Sequence, residues 1–600
     1  MNQSLSSSDS LQLFNDNLHQ SFPIRDEQIR VVDLLPGSGA DAIVLKCRII
    51  TLNGGRNFEA LSYVWGDSHD IRTVSISGFH MEITQSLYAA FRHLRDARNV
   101  RTLWTDQICI DQSDDEEKSR QVSLMGTIYR KCSECLIWLG DIPSDRLFLE
   151  SDAQVVMDFI RTVAYDKPTF LDSHTLLLDD IDGKRARSAF EALIMGGNPW
   201  WSRVWTLQEA SLPSTATLHW GPLAISLGIV ELAALNLCSG WLFEGSSEEV
   251  QAEFHKLMSN LLYPVRGLRI ARSGEIPLNM LMRWRYREAS DARDKVYGFG
   301  GLLSRKTLSS VPAMRDVDYS ISPTVLFTKL TIDLIRSEGD LRALVGAREL
   351  PHITPDLPTW AIDFATSSAI GTRQTKWWHH SHRYLRWTAS KGLKLHVEVL
   401  DGGKTLRLTG ILIDRIETIS KVYEVPVEES INDKTLQDII LQSRRILEEH
   451  QQSCGSNLNA PYIGGGTIKD AFWRTMLGNL KMREFPTGVP KEHQERDFED
   501  YLDKGTYSEL ITSLHGHVPN HAFFTTAGGY VGIGPSDIRA EDWVCILSGG
   551  RVPFVIRPTD AGTNAGSKMY QLVGDAYVHG IMRGEAVAQR KEQMEKIGLV

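Results

Sequence analysis

The sequence predicts an α/β protein: a mostly parallel sheet with flanking helices, then a mainly helical region and a small β-rich unit. Three observations carry this. Between Arg101 and Asp141 an apolar run, an amphipathic stretch and a second apolar run succeed one another as strand, helix and strand. Upstream, Phe58-Glu-Ala-Leu-Ser-Tyr-Val-Trp65 is a further strand-length segment, stopped by the turn residues Gly66-Asp67-Ser68. Beyond about residue 400 the pattern changes to short alternating runs, rich in glycine towards the end.

Taken in order, residues 1–28 are expected to be a flexible N-terminal tail, and Ile29 to Leu35 a first strand closed by Pro36-Gly37-Ser38-Gly39. Ile43 to Ile50 continues the β pattern. Val74 and Ile76, then Ile83 across Ser77-Gly78, make a hairpin. Leu87, Ala90, Phe91 and Leu94 form the apolar stripe of a helix that leads to Arg101. There Leu103, Trp104, Ile108, Cys109 and Ile110 read as one strand, and Ser113 with Glu116 as a capping box. The helix it opens turns Val122, Met125, Tyr129 and Cys132 to one side, and Cys135 to Leu139 is a short buried strand. Two strands joined by a helix lie parallel, which places Asp111 and Asp141 at the carboxyl edge where open α/β sheets bind ligands.

After Asp141 the chain turns helical, near Ala153 to Val163 and Arg185 to Met195, with an exposed insertion at Thr169 to Asp182 between them. Gly196-Gly197-Asn198-Pro199 stops the second helix. The ring-rich run from Trp200 to Ala210 follows, and Thr215 to Trp220 is a closing strand. The α/β domain is therefore expected over 29–222, a mainly helical region over 223–400 with a helix at Pro323 to Arg336, and a mixed region over 401–600. Within the last, Leu406-Arg-Leu-Thr-Gly-Ile-Leu alternates as a strand, and Phe523 to Glu585 reads as a Gly-rich β unit.

Six hundred residues with 42% hydrophobic content imply two or more cores. A net charge of −10 argues against general binding of the nucleic-acid backbone. No run is apolar and long enough to span a membrane, and the polar first twenty-one residues lack the basic-then-apolar order of a secretion signal, so a cytoplasmic location is expected. Seven cysteines, an odd and small number, fit a reducing compartment. Fifteen tryptophans, often beside glycine or an acid, suggest rings anchoring the turns of an irregular fold.

Three blocks occur in a recognisable order: Leu61-Ser-Tyr-Val-Trp-Gly66; Trp104 to Gln112 with Gln121, Val122, Met125, Tyr129 and Trp138-Leu-Gly140; and Arg203-Val-Trp-Thr-Leu-Gln-Glu209. Together they resemble the fungal heterokaryon-incompatibility (HET) domain, over a core of residues 56–212. Asp291-Ala-Arg-Asp-Lys-Val-Tyr297, Asp318-Tyr319, Leu357-Pro-Thr-Trp360 and Tyr570 to Gly580 resemble the usual continuation in full-length members. Thr105 departs from a common aliphatic residue, and Asp111 from a common Asn. The resemblance implies a TIR-like, flavodoxin-like domain and a role in fungal non-self recognition, with growth arrest or cell death as output. It implies protein partners or self-association. No cofactor is established by it.

TIR-like domains either scaffold signalling complexes or cleave NAD with a pocket glutamate, so NAD is a possible substrate and whether the domain is an enzyme stays open. A third reading is an accessory protein of a fungal metabolic gene cluster. In the enzymatic reading Glu209 would stabilise the positive charge that develops as nicotinamide leaves, with Trp205 stacking on the base. Arg203 would hold a phosphate or pair with Glu209, and Asp67, Asp106 and Asp111 would line the crevice. Tyr63, Trp65 and Gly66 complete the candidate ligand or assembly surface. The plainer account makes the aromatic residues core and turn anchors, and Arg203 with Glu209 a structural pair. Cys132-Ser-Glu-Cys135 has metal or redox spacing but no second pair, and no metal site is expected. Trp377 to Trp387 is basic and aromatic without being a known nucleic-acid module. Gly298-Phe-Gly-Gly301 and Gly528 to Gly534 lack the context of phosphate loops, and no hydrolase nucleophile elbow or zinc-protease motif is present.

Overall fold

Nine strands build one sheet in the first part of the chain: β1 (Gln28–Leu34), β2 (Val44–Thr51), β3 (Glu59–Tyr63), β4 (Ile71–Ile76), β5 (Phe79–Thr84), β6 (Arg101–Trp104), β7 (Cys135–Trp138), β8 (Ala216–Trp220) and β9 (Leu223–Ser226). The computed structural model describes residues 17–55, 58–143, 147–165, 175–237, 247–346, 352–366, 383–423, 431–482, 486–506, 508–564 and 567–600. Two compact units divide it, Met1–Ile321 and Ser322–Val600.

In the first unit the strand order is β5-β4-β2-β1-β6-β3-β7-β8-β9. The centre, β6-β3-β7-β8, is parallel. β1 runs antiparallel to both β2 and β6, and the hairpins β4–β5 and β8–β9 are antiparallel. The sheet is thus mixed, with parallel pairing concentrated where the expectation of a mostly parallel sheet was strongest. The reason lies in burial: all four residues of β7 are buried, and four of the five in β3. Continuous apolar runs suit a strand covered on both faces.

The helices include α1 (Asn17–Ser21), α2 (Gln85–Leu94), α3 (Asp106–Cys109), α4 (Asp115–Lys131), α5 (Glu150–Tyr165), α6 (Ile181–Leu193), α7 (Thr206–Ser211), α8 (Leu227–Leu237), α9 (Glu248–Ser273), α10 (Pro277–Trp284) and α11 (Asp294–Gly300). Leu87, Ala90, Phe91 and Leu94 of α2 share a core with Val32, Leu45, Tyr63, Leu136 and Trp138 of the strands. β6 and β7 are parallel, as expected for strands linked by α4, but β3 lies between them.

Three local expectations are corrected. Ile108, Cys109 and Ile110 do not extend β6; the strand stops at Trp104 and α3 follows, with Cys109 N donating to Thr105 O at 2.9 Å. A short apolar run is buried equally well by a helical turn, so periodicity alone does not separate the two. The cap of α4 is Asp114, whose side chain accepts from Glu116 N and Glu117 N, whereas Ser113 donates to Asp111 Oδ1 at 2.6 Å. Asp is as good a cap as Ser, and the acid one position later wins. Residues 17–28, expected within a flexible tail, are packed: Leu18 and Ile24 are buried, and Arg30 Nε donates to Phe22 O at 2.8 Å. The buried Arg30 is itself matched by Glu117, with contacts of 2.5 and 2.9 Å that tie β1 to α4.

In the second unit β10 (Glu398–Leu400) precedes β11 (Thr405–Ile419), a 15-residue strand, and a small pair β12 (Lys481–Met482) and β13 (Pro486–Gly488) stands apart. β14 (His521–Thr526), β15 (Val531–Pro535), β16 (Trp543–Leu547), β17 (Phe554–Asn564), β18 (Ser567–Asp575), β19 (Tyr577–Val578) and β20 (Glu595–Leu599) complete it. β11 pairs β16, β16 pairs β17, β17 pairs β18, β18 pairs β20, and β20 pairs β11. The pairings close on themselves, so these strands form a barrel without free edges. Past Arg415 the end of β11 leaves the barrel, and Ile416, Thr418 and Ile419 pair with β14. Helices Pro323–Glu338, Asp433–Ser453, Ile468–Met476 and Gln494–Lys504 belong to this unit. Among the described residues no helix is long and apolar enough to cross a membrane.

Candidate functional site

The carboxyl edge of the parallel strands gathers most of the candidate residues. Tyr63 ends β3, Asp106 opens α3 after β6, and Gly140 follows β7. The turn before α7 faces them because Asn198 anchors it: its Nδ2 donates to Leu139 O at 2.9 Å and its Oδ1 accepts from Trp200 N at 3.0 Å. Pro199 then starts a short helical turn, and Trp200 packs edge-on against Trp201 with centroids 4.9 Å apart.

Glu209 lies at the centre of this arrangement and is only 5% exposed. Its Oε2 accepts from Ser62 Oγ, and that oxygen accepts from Trp200 Nε1 at 2.7 Å. Burial pushes the carboxyl up to about 7, against the pull of the Arg203 charge and the Ser62 hydrogen bond. Arg203 does not pair with Glu209; its guanidinium donates to the carbonyl of Tyr63 and acts on Glu209 and Asp106 as a nearby charge. Asp106 accepts from Trp65 Nε1 and Gln107 N at 2.9 and 2.8 Å, and burial raises its pKa. The Tyr63 hydroxyl donates to Gln107 Oε1 at 3.3 Å, and burial keeps it protonated.

Glu209, Arg203, Tyr63, Trp65 and Asp106 therefore form one network, and Gly66 with φ 78° turns the chain just beyond it. The others stand apart. Asp67 is exposed and accepts from His69 N at 2.9 Å, the pattern of a local turn. Asp111 holds Ser113 and faces His19 at 3.6 Å. Trp205 hydrogen-bonds to Asp294 instead of facing Glu209's partners. Desolvation of its carboxyl raises the pKa of Asp294, which accepts from Tyr319 Oη at 2.5 Å. Lys118 Nζ sits 4.4 Å from the centre of the Tyr319 ring.

Residues outside the expected set complete the network. Ser62 was detectable: a hydroxyl inside a buried strand needs a partner. Tyr129, on the apolar face of α4 and in the second of the three blocks, is also bonded to Glu209. Arg287, 1% exposed, donates to Arg203 O and Thr206 Oγ1 at 3.0 and 2.7 Å, a long-range contact without a sequence signal. Gln208 Nε2 donates to Gly298 O at 2.8 Å. A Cβ on Gly301 would lie 2.8 Å from the Cα of Gly126, so α4 and the end of α11 meet backbone to backbone. Cys132 and Cys135 are buried, and burial holds the Cys135 thiol far above its usual range. Of Trp377 to Trp387, residues 377–382 lie outside the described residues.

Chemically, a sealed carboxyl whose pKa burial raises and which Ser62 holds is suited to fixing the turn onto the sheet, and to proton exchange only if it is uncovered. Comparison with known proteins agrees with the blocks that build this edge. Residues 58–209 match the family model described as heterokaryon incompatibility protein (HET), and residues 489–597 that of the Het-6 beta-barrel domain. Over residues 58–209 the chain is thus similar to heterokaryon-incompatibility (HET) domain proteins. It is 24% identical over 662 residues of alignment to heterokaryon incompatibility protein 6, OR allele, of Neurospora crassa, covering 93% of this chain and 94% of that protein. No solved structure matches it.

Proposed function

We propose that the protein acts in heterokaryon (vegetative) incompatibility, with the first unit as effector of growth arrest or cell death and the second as its control. The carrying observation is the joint presence of a HET domain and a Het-6 barrel along nearly the full length of a relative named for incompatibility. In this reading the central strands are the TIR-like, flavodoxin-like core, the location is cytoplasmic, and the output runs through protein partners or self-association. The network around Glu209 supports it, since a sealed carboxyl edge favours shaping an assembly surface over an open substrate pocket. Transforming the gene into recipient strains of differing incompatibility type tests it. Colony yield is expected to collapse in at least one recipient and hold in others; equal yields in all, with full-length protein accumulated, would overturn it.

One observation favours a second reading, cleavage of NAD: a buried glutamate raised to about 7 at the carboxyl edge of a parallel sheet. It requires Glu209 to leave Ser62. Nicotinamide release by purified protein, lost in Glu209→Gln, would support it, and no release by self-associated wild type would remove it.

A further inference from the structure

We propose that the second unit holds a binding site for an oxyanion, a carboxylate or phosphate group, gripped by Arg383 and His517. Both line a cavity walled by Tyr384, Trp387 and Tyr577, with Asp575 also at its surface. Arg383 is 6% exposed and His517 4%. Arg383 Nη1 contacts His517 Nδ1. A guanidinium only donates, so Nδ1 is the acceptor of this contact and Nε2 is the ring nitrogen left to donate. Among the described residues neither that Nε2 nor Arg383 Nε or Nη2 has a hydrogen-bond partner. Three buried nitrogen atoms of two residues that line one cavity thus lack an acceptor among the described residues.

Their chemistry specifies the ligand. Nε and Nη2 form the side of a guanidinium that presents two parallel N–H groups, matched to two oxygens of one carboxylate or phosphate. This protein uses the same side elsewhere for that purpose. Arg557 Nε and Nη2 each hold an oxygen of Asp542 at 2.9 Å, and Arg101 holds Glu59 at 2.9 and 2.7 Å. Arg383 has Asp575 as a neighbouring charge rather than as such a partner; the acid's Oδ1 accepts from Gly346 N at 2.9 Å. Burial drives the Arg383 pKa down to about 9, the mark of a cation short of compensation. His517 Nε2 adds a third donor beside the fork. The Trp387 and Tyr577 rings, 5.7 Å apart, give the cavity an apolar flank.

The test uses the full chain, with inorganic phosphate, acetate and benzoate as probes and chloride at equal ionic strength as control. Saturable thermal stabilisation by at least one oxyanion is expected, weakened tenfold or more in Arg383→Met and partly in Arg383→Lys, which keeps the charge but not the fork. A response to phosphate alone assigns a phosphoryl ligand; a response to acetate or benzoate alone assigns a carboxylate. Hydrogen exchange on wild-type protein needs no variant: saturating oxyanion should protect the segments containing Arg383 to Trp387 and Leu514 to His521. The absence of any saturable response beyond chloride, an equal response in Arg383→Met, or protection elsewhere only would overturn the site.

Discussion

Ser62 is the pivot of the carboxyl-edge network, donating to Glu209 and accepting from Trp200. Ser62→Ala leaves Trp200 Nε1 without its acceptor and Glu209 without one of its donors, and should cost about 1–3 kcal/mol, read by urea denaturation. Glu209 adds a pH signature. Its folded pKa of about 7 lies above the ordinary 4.5, so the folded protein binds the proton more tightly than the unfolded chain. The contribution is present in full below about 4.5 and is lost as pH rises to about 7. Between pH 4.5 and 8, Glu209→Gln should therefore gain on wild type by up to about 3 kcal/mol; parallel pH profiles for the two proteins would refute the shift. The Arg30–Glu117 pair behaves differently, because each charge is satisfied by the other. Arg30→Met strands Glu117 and should cost about 3–5 kcal/mol in the same assay.

At the scale of elements, the α4 cap gives a direct contrast. Asp114→Ala should destabilise by about 1 kcal/mol, whereas Ser113→Ala, which removes only a hydroxyl bonded to Asp111, should cost less. The difference is measurable by denaturation of the two single variants. Ser113 and Asp114 also show how far the sequence is legible. Both are capping residues, and only the backbone path decides between them. β3, β7, α2 and α4 were readable because each buries a continuous or periodic apolar set. The turn of α3 was not, since Ile108 and Cys109 are buried in either conformation. The closed barrel was hidden for another reason: β11 pairs with strands more than a hundred residues later, and non-local pairing leaves no local pattern. In the site, Glu209 with Arg203, Tyr63, Trp65 and Asp106 was legible as conjoined blocks, but the partners were not. Arg203 reaches the Tyr63 carbonyl, and Trp205 turns to Asp294, because backbone acceptors and distant acids satisfy them better than each other.

For the whole molecule, the first unit extends to Ile321, well past the matched residues 58–209. Helix α7, which carries Glu209, is held from outside that segment. Arg272 donates to Ala210 O and Ser211 O at 2.9 and 3.1 Å, Arg287 to Thr206, and Gln208 to Gly298. A fragment ending at residue 222 should be insoluble or molten, whereas residues 17–321 should melt cooperatively by circular dichroism. The reverse outcome would show that the later helices are dispensable. The meeting of Gly126 with Gly301 carries this dependence further. Where Gly126 meets Gly301 neither residue has a side chain to absorb a displacement, and Arg130 of α4 also donates to the Gly301 carbonyl, so the two segments act as meshed gears rather than cushioned plates. A displacement of the Asp294 helix would thus be passed to α4, which delivers the chain to β7, between β3 and β8 in the parallel part of the sheet.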